Sequence, residues 1–271
     1  MNEKQHLPDA NRLSILASTI LLAYAISPYV NIPVRSFGIS ILGIAYNFDF
    51  NFSLLLSLLV SLLAAVGADW LVRGHPELRE TNTMQHWILP ALTAWVIGVP
   101  LRNLQPGVEW WVVFGFGGLL LILVFVAEYV VVDLSDDLHA PAAIGLSAVS
   151  FALYLFLVIS LRAAGLRLYT ILPAIVVCMA LVALRTLYLR LNGRWCLAWG
   201  VAIAIIVGQF AVGFHYWPLS PLSFGLLLVG PSYALTSIAA SIEEKHPWQT
   251  LWIEPAVMLV VLWGLAFVVS A

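Results

Sequence analysis

Four ionisable residues stand inside long apolar stretches of this chain: Asp69, Glu128, Arg185 and Glu254. A charge at the centre of a membrane helix costs at least about 2.5–3.5 kcal/mol, so each of these side chains needs a partner or a short route to water. Glu128 lies five residues before Asp133, and Arg185 five before Arg190. That spacing puts the two opposite charges at one depth, where pairing would relieve the cost of both. Asp69 and Arg73 are four apart and share one helix face. His75 follows, then Glu77, Arg79, Glu80 and His86. Asp69, Arg73, His75, Glu128, Arg185 and Glu254 are therefore the candidate polar site.

Two further groups carry chemistry in their spacing. Asp133, Asp136, Asp137 and His139 lie within seven residues, and such oxygen-rich sets suit a hard divalent cation. With Mg2+ there, and with Arg73, Arg185 or Arg190 taking phosphate charge, the chain would be a membrane transferase acting on a lipid phosphate. A second aspartate cluster, needed to clamp a diphosphate, is missing, and 185–194 is basic. The simpler reading of the same residues is a solvated acidic turn capping the fifth helix. The other group is Gly230-Pro231-Ser232 with Tyr233 and Thr236, helix breakers in mid-run like Ser27-Pro28, Pro90 and Pro173. Broken membrane helices expose backbone that binds solutes in transporters, while proline kinks also serve packing alone. Phosphate loops, zinc helices and serine elbows are absent. Cys178 and Cys196 fit neither a disulfide framework nor a metal spacing.

The elements that must position these residues follow from composition. Of 271 residues 62% are apolar and only 10% charged, with a mean hydropathy of +0.98. A soluble fold of this size could not hide that much apolar surface. Runs long enough to cross a bilayer, about 20 residues each, fall at 11–34, 50–72, 84–101, 108–132, 142–161, 166–189, 195–216, 219–240 and 249–271. Leu119 to Val126 is apolar on every face, which a barrel strand could not be, so the runs are helices. The expected fold is an all-α polytopic transmembrane helix bundle of about nine spans, one domain over 1–271. Lys4, Arg12 and Ala23-Tyr24-Ala25 also have the form of a signal peptide, and cleavage there would leave eight spans. One segment alternates with period two, Tyr46-Asn47-Phe48-Asp49-Phe50-Asn51-Phe52. It predicts a short ribbon or interfacial segment over 36–51.

Lysine and arginine set the orientation. With the N-terminus inside, the inner segments hold Lys4, Arg12, Arg73, Arg79, Arg185, Arg190, Arg194 and Lys245, and the outer ones Arg35, Arg102, Arg162 and Arg167. The C-terminus is then outside, and the four intramembrane charges lie near cytoplasmic ends. Trp70, Trp87, Trp110, Trp111, Trp195, Trp217, Trp248 and Trp252 fall near span ends, the headgroup level that indoles favour. His215 beside Tyr216 and Trp217 reads as interfacial. Gln209, Thr93 and Ser150 at depth read as bonds to neighbouring helices.

The stretch Gly67-Ala68-Asp69-Trp70-Leu71-Val72-Arg73-Gly74-His75-Pro76, followed by His86-Trp87-Ile88-Leu89-Pro90, resembles a family of uncharacterised bacterial multi-pass membrane proteins. The resemblance covers about a tenth of the chain. It implies a bacterial cytoplasmic (inner) membrane, and it carries over no site residues, since that family has no assigned activity. Three function classes stay open: a scaffold or assembly subunit working by helix packing, slightly favoured; a small-solute or lipid transporter; and the Mg2+-dependent transferase. The expected partners are the lipid bilayer and other membrane subunits. A net charge of −2 argues against nucleic acid, which needs a basic footprint.

Overall fold

The structure, a computed structural model, describes residues 7–30, 35–41, 44–50, 52–76, 78, 83–191, 193–245, 247 and 252–270, with backbone alone for 35–41, 44–50, 52–54 and 103. Lys4, Glu77, Arg79, Glu80 and Trp248 lie outside the described side chains. Nine α-helices are found among the described residues: α1 (Ala10–Ile26), α2 (Phe52–Val72), α3 (Ile88–Asn103), α4 (Val108–Val130), α5 (His139–Ala163), α6 (Leu168–Arg190), α7 (Leu197–His215), α8 (Pro221–Glu243) and α9 (Ile253–Ser270). Eight are long and apolar enough to cross a membrane. The exception is α3, whose 16 residues reach only about 24 Å at 1.5 Å per residue. The polytopic all-α bundle expected from the runs is the fold observed.

Two boundaries differ from the runs. Ser27-Pro28 ends the first helix instead of interrupting it, because a 3-10 turn over Ser27–Tyr29 takes over. The run at 84–101 begins with a separate 3-10 turn, Met84–His86, before α3. The alternating segment is a ribbon: β1 (Arg35–Ile41) pairs antiparallel with β2 (Ile44–Phe50), in register from Arg35↔Phe50 to Ile41↔Ile44.

The chain gathers into two compact units, Met1–Asp136 and Asp137–Ala271. In the first, α1 packs on α2 and α4, and α3 on α2 and α4. The shared core holds Ile20, Tyr24, Ala64, Leu71, Leu121 and Phe125. Lipid tails are as apolar as these residues, so close contact and internal hydrogen bonds hold such helices together. Gly67 shows the contact: a Cβ there would stand 2.0 Å from Leu16 Cδ1. Tyr24 supplies a bond, its hydroxyl donating to the Ala94 carbonyl of α3 at 2.5 Å. The small-x-small triplet Ala23-Tyr24-Ala25 thus centres on a residue built into this core.

In the second unit α8 is central, touching α5, α6, α7 and α9. Of its apolar window 72% is buried, against 11% for the peripheral α9. Pro231 does not break α8, which runs unbroken from Pro221 to Glu243. Proline has no N–H, so the carbonyl four residues earlier, that of Leu227, loses its helical donor. The indole N–H of Trp263 on α9 bonds that carbonyl instead, at 3.2 Å. Gly230 lets the ring in, with its would-be Cβ 3.0 Å from Trp263 Cδ1.

Candidate functional site

In the first unit the end of α2 meets the start of α3 and the end of α4. Asp69, one turn before the end of α2, is the hub. Its Oδ2 accepts from Arg73 Nε at 2.7 Å, and its Oδ1 accepts both from the Trp87 indole at 3.2 Å and from Thr83 Oγ1. The carboxylate therefore ties the segment entering α3 to α2. The Asp69–Arg73 ion pair expected from their spacing is present.

Beside it, His86 Nδ1 lies 2.8 Å from Glu128 Oε2. When Glu128 is ionised its oxygen only accepts, and Nδ1 then carries the hydrogen. The two side chains are 6% and 1% exposed, which puts a charge-assisted bond in a place that water does not reach. His75 packs against Tyr129, with ring centroids 4.5 Å apart. Asp69, Arg73, His75 and Glu128 thus sit at one end of this unit, on the helix termini that the charge pattern assigns to one side.

In the second unit a comparable cluster joins the end of α6 to the end of α8. Arg190 grips Glu244 with a fork, Nε to Oε1 at 3.0 Å and Nη2 to Oε2 at 3.1 Å. It also donates to Ser237 Oγ at 3.3 Å and Ser241 Oγ at 3.2 Å. Trp199 of α7 donates to Glu243 at 3.0 Å, and Tyr233 of α8 donates to Glu254 of α9 at 2.5 Å. Arg185 is fully buried, its guanidinium 5.7 Å above the Tyr188 ring. Glu128 and Arg185, the two members of the expected pair, belong to different units. At the opposite end of this unit, His215 Nδ1 lies 3.3 Å from Arg162 Nη1. Since arginine only donates, that nitrogen is an acceptor.

Asp133 spends one oxygen on a local turn, accepting from the Ser135 amide at 2.8 Å and hydroxyl at 2.7 Å. α5 opens on Leu138, an N-cap residue whose own side chain makes no cap bond. Among the described residues no three of His, Cys, Asp or Glu are placed to hold a metal ion. Gly230, Pro231 and Ser232 are buried, and Ser232 donates to Leu228 of its own helix at 2.6 Å. Thr93 and Ser150 likewise bond their own helices, to Leu89 at 2.7 Å and Leu146 at 2.8 Å, not neighbouring ones. Trp110 is 1% exposed and bonds the Leu101 carbonyl, so it is a core residue and no interfacial anchor. Sequence reasoning missed Thr83, Trp87 and the Arg190 cluster. The spacing of Ser237, Ser241 and Glu244, four and then three apart, was the available signal for the last of these.

Apolar helices with polar groups gathered at their ends define a multi-pass membrane protein. The chain belongs to the family described as protein of unknown function (DUF5656), whose model matches residues 32–269. No curated protein and no solved structure matches the chain.

Proposed function

We propose that this protein is an assembly subunit of a membrane complex, working through helix packing and not by chemistry or solute movement. The observation that carries this reading is Gln209. It is exposed on α7, six residues and so about 9 Å from the helix end, and it makes no hydrogen bond among the described residues. Lipid tails cannot bond a primary amide, whereas a neighbouring membrane helix can. A Cβ at Gly213, one turn on, would meet nothing within 4 Å, so a second helix has room to approach. The rim charges described above serve helix-to-helix fastening in their own units, which also fits a packing role. With p-benzoylphenylalanine at position 209, illumination of intact membranes should give one discrete protein adduct. Gln209→Leu should weaken the complex roughly five- to thirtyfold on native gels, the equivalent of about 1–2 kcal/mol for an interhelical amide bond. Adducts to lipid alone, with a wild-type chain that migrates as a monomer, would rule the reading out.

With the 84–101 run counted as a ninth crossing, the eight inner against four outer basic residues support an N-terminus in the cytoplasm and a C-terminus outside it, and the resemblance supports a bacterial inner membrane. Alkaline phosphatase fused after Ala271 should then be active and fused after Lys245 inactive. The opposite pattern would invert the map.

A further inference from the structure

At the start of α1 an open-mouthed pocket of about 440 Å³ is lined by Asp9, Arg12, Leu71, Gly74 and Tyr129, among others. It holds opposite charges that do not neutralise each other. Asp9 caps α1, one carboxylate oxygen accepting from the Asn11 amide at 2.9 Å, which leaves its second oxygen for another donor. The Arg12 guanidinium lies 5.2 Å from the centroid of the Trp70 ring. The ion pairs found among the described residues include neither side chain. Gly74 keeps the guanidinium in place: a Cβ there would stand 2.5 Å from Arg12 Nη1. Tyr129, braced by His75, forms the far wall.

We infer that this pocket binds a phosphate–ammonium headgroup, with the phosphate on Arg12 and the primary ammonium on Asp9. Guanidinium and phosphate match in geometry, and a carboxylate with a spare oxygen suits an N–H-bearing cation. The ring of Trp70, two residues from the end of α2, marks the headgroup depth of a bilayer, where phosphoethanolamine lipids present this dipole. A choline headgroup has no N–H to give Asp9, and a glycerol headgroup has no cation. This site is independent of the assembly reading.

The test uses native mass spectrometry of the full chain in detergent with added lipid. Wild type should retain dioleoyl-phosphatidylethanolamine about tenfold more strongly than the phosphatidylcholine or phosphatidylglycerol with the same chains, as expected for one charge-assisted bond. Arg12→Gln should lose that retention, Asp9→Asn should level ethanolamine with glycerol, and Gly74→Ala should weaken binding by displacing the guanidinium. Displacement by glycerophosphoethanolamine would assign a soluble ligand of the same chemistry, and its failure to displace would assign the bilayer lipid. Equal retention of the three lipids by wild type overturns the inference, whether or not the variants fold. So does unchanged retention in a folded Arg12→Gln.

Discussion

Replacing His86 by alanine should destabilise the protein by about 3–5 kcal/mol, the usual cost of breaking a buried pair by removing one partner. The bond it breaks is the 2.8 Å contact with Glu128. Glu128 is 1% exposed, so water cannot take the place of the lost donor. His86→Gln should cost less, because an amide N–H can still reach the carboxylate. The effect is to be read as the shift in unfolding midpoint in mixed micelles, followed by circular dichroism. A loss under about 1 kcal/mol, the range of exposed pairs, would show that the contact does not hold the turn before α3 to α4.

A second large effect concerns the Pro231 device on α8. Trp263→Phe keeps most of the ring but removes the N–H that bonds the Leu227 carbonyl. A buried acceptor left unmet costs about 1–3 kcal/mol. The same substitution should cost far less in a Pro231→Ala background, because the new amide at position 231 can donate to Leu227 itself. The coupling in that double-mutant cycle should reach about 1–2 kcal/mol, within the range for residues sharing a partner. Equal costs in the two backgrounds would mean that the proline and the tryptophan act separately. A coupled result makes Pro231 a docking point for α9, whose described buried residues are Pro255 and Ala266.

The legibility of this protein divides by the range of the interaction. The Asp69–Arg73 pair was readable because four residues make one helical turn, and the antiparallel ribbon was readable because alternation is a local pattern. The ends of the helices were less so. Ser27-Pro28 looks like a kink within a run of apolar residues that continues to Val34, and only the 3-10 turn shows that the helix stops there. Pro231 looks the same in sequence, yet its helix continues. The difference is a donor supplied 36 residues away by Trp263, which no local rule could supply. Trp110 likewise carries the composition of an anchor and the environment of a core.

Residue type alone determined the solvent of this chain. Transfer of apolar side chains out of water is additive along a run, so 62% apolar residues in stretches of twenty demand lipid whatever the fold. It also determined that the helices would carry their charged groups near their ends. Only the tertiary structure decided which of those groups meet. His86 reaches Glu128 across 42 residues of sequence, and Arg190 reaches Glu244 across 54. Such pairings depend on how each helix is rotated and crossed against the next. Small residues such as Gly67 and Gly230 allow approaches that a Cβ would block, and a one-dimensional pattern does not contain them.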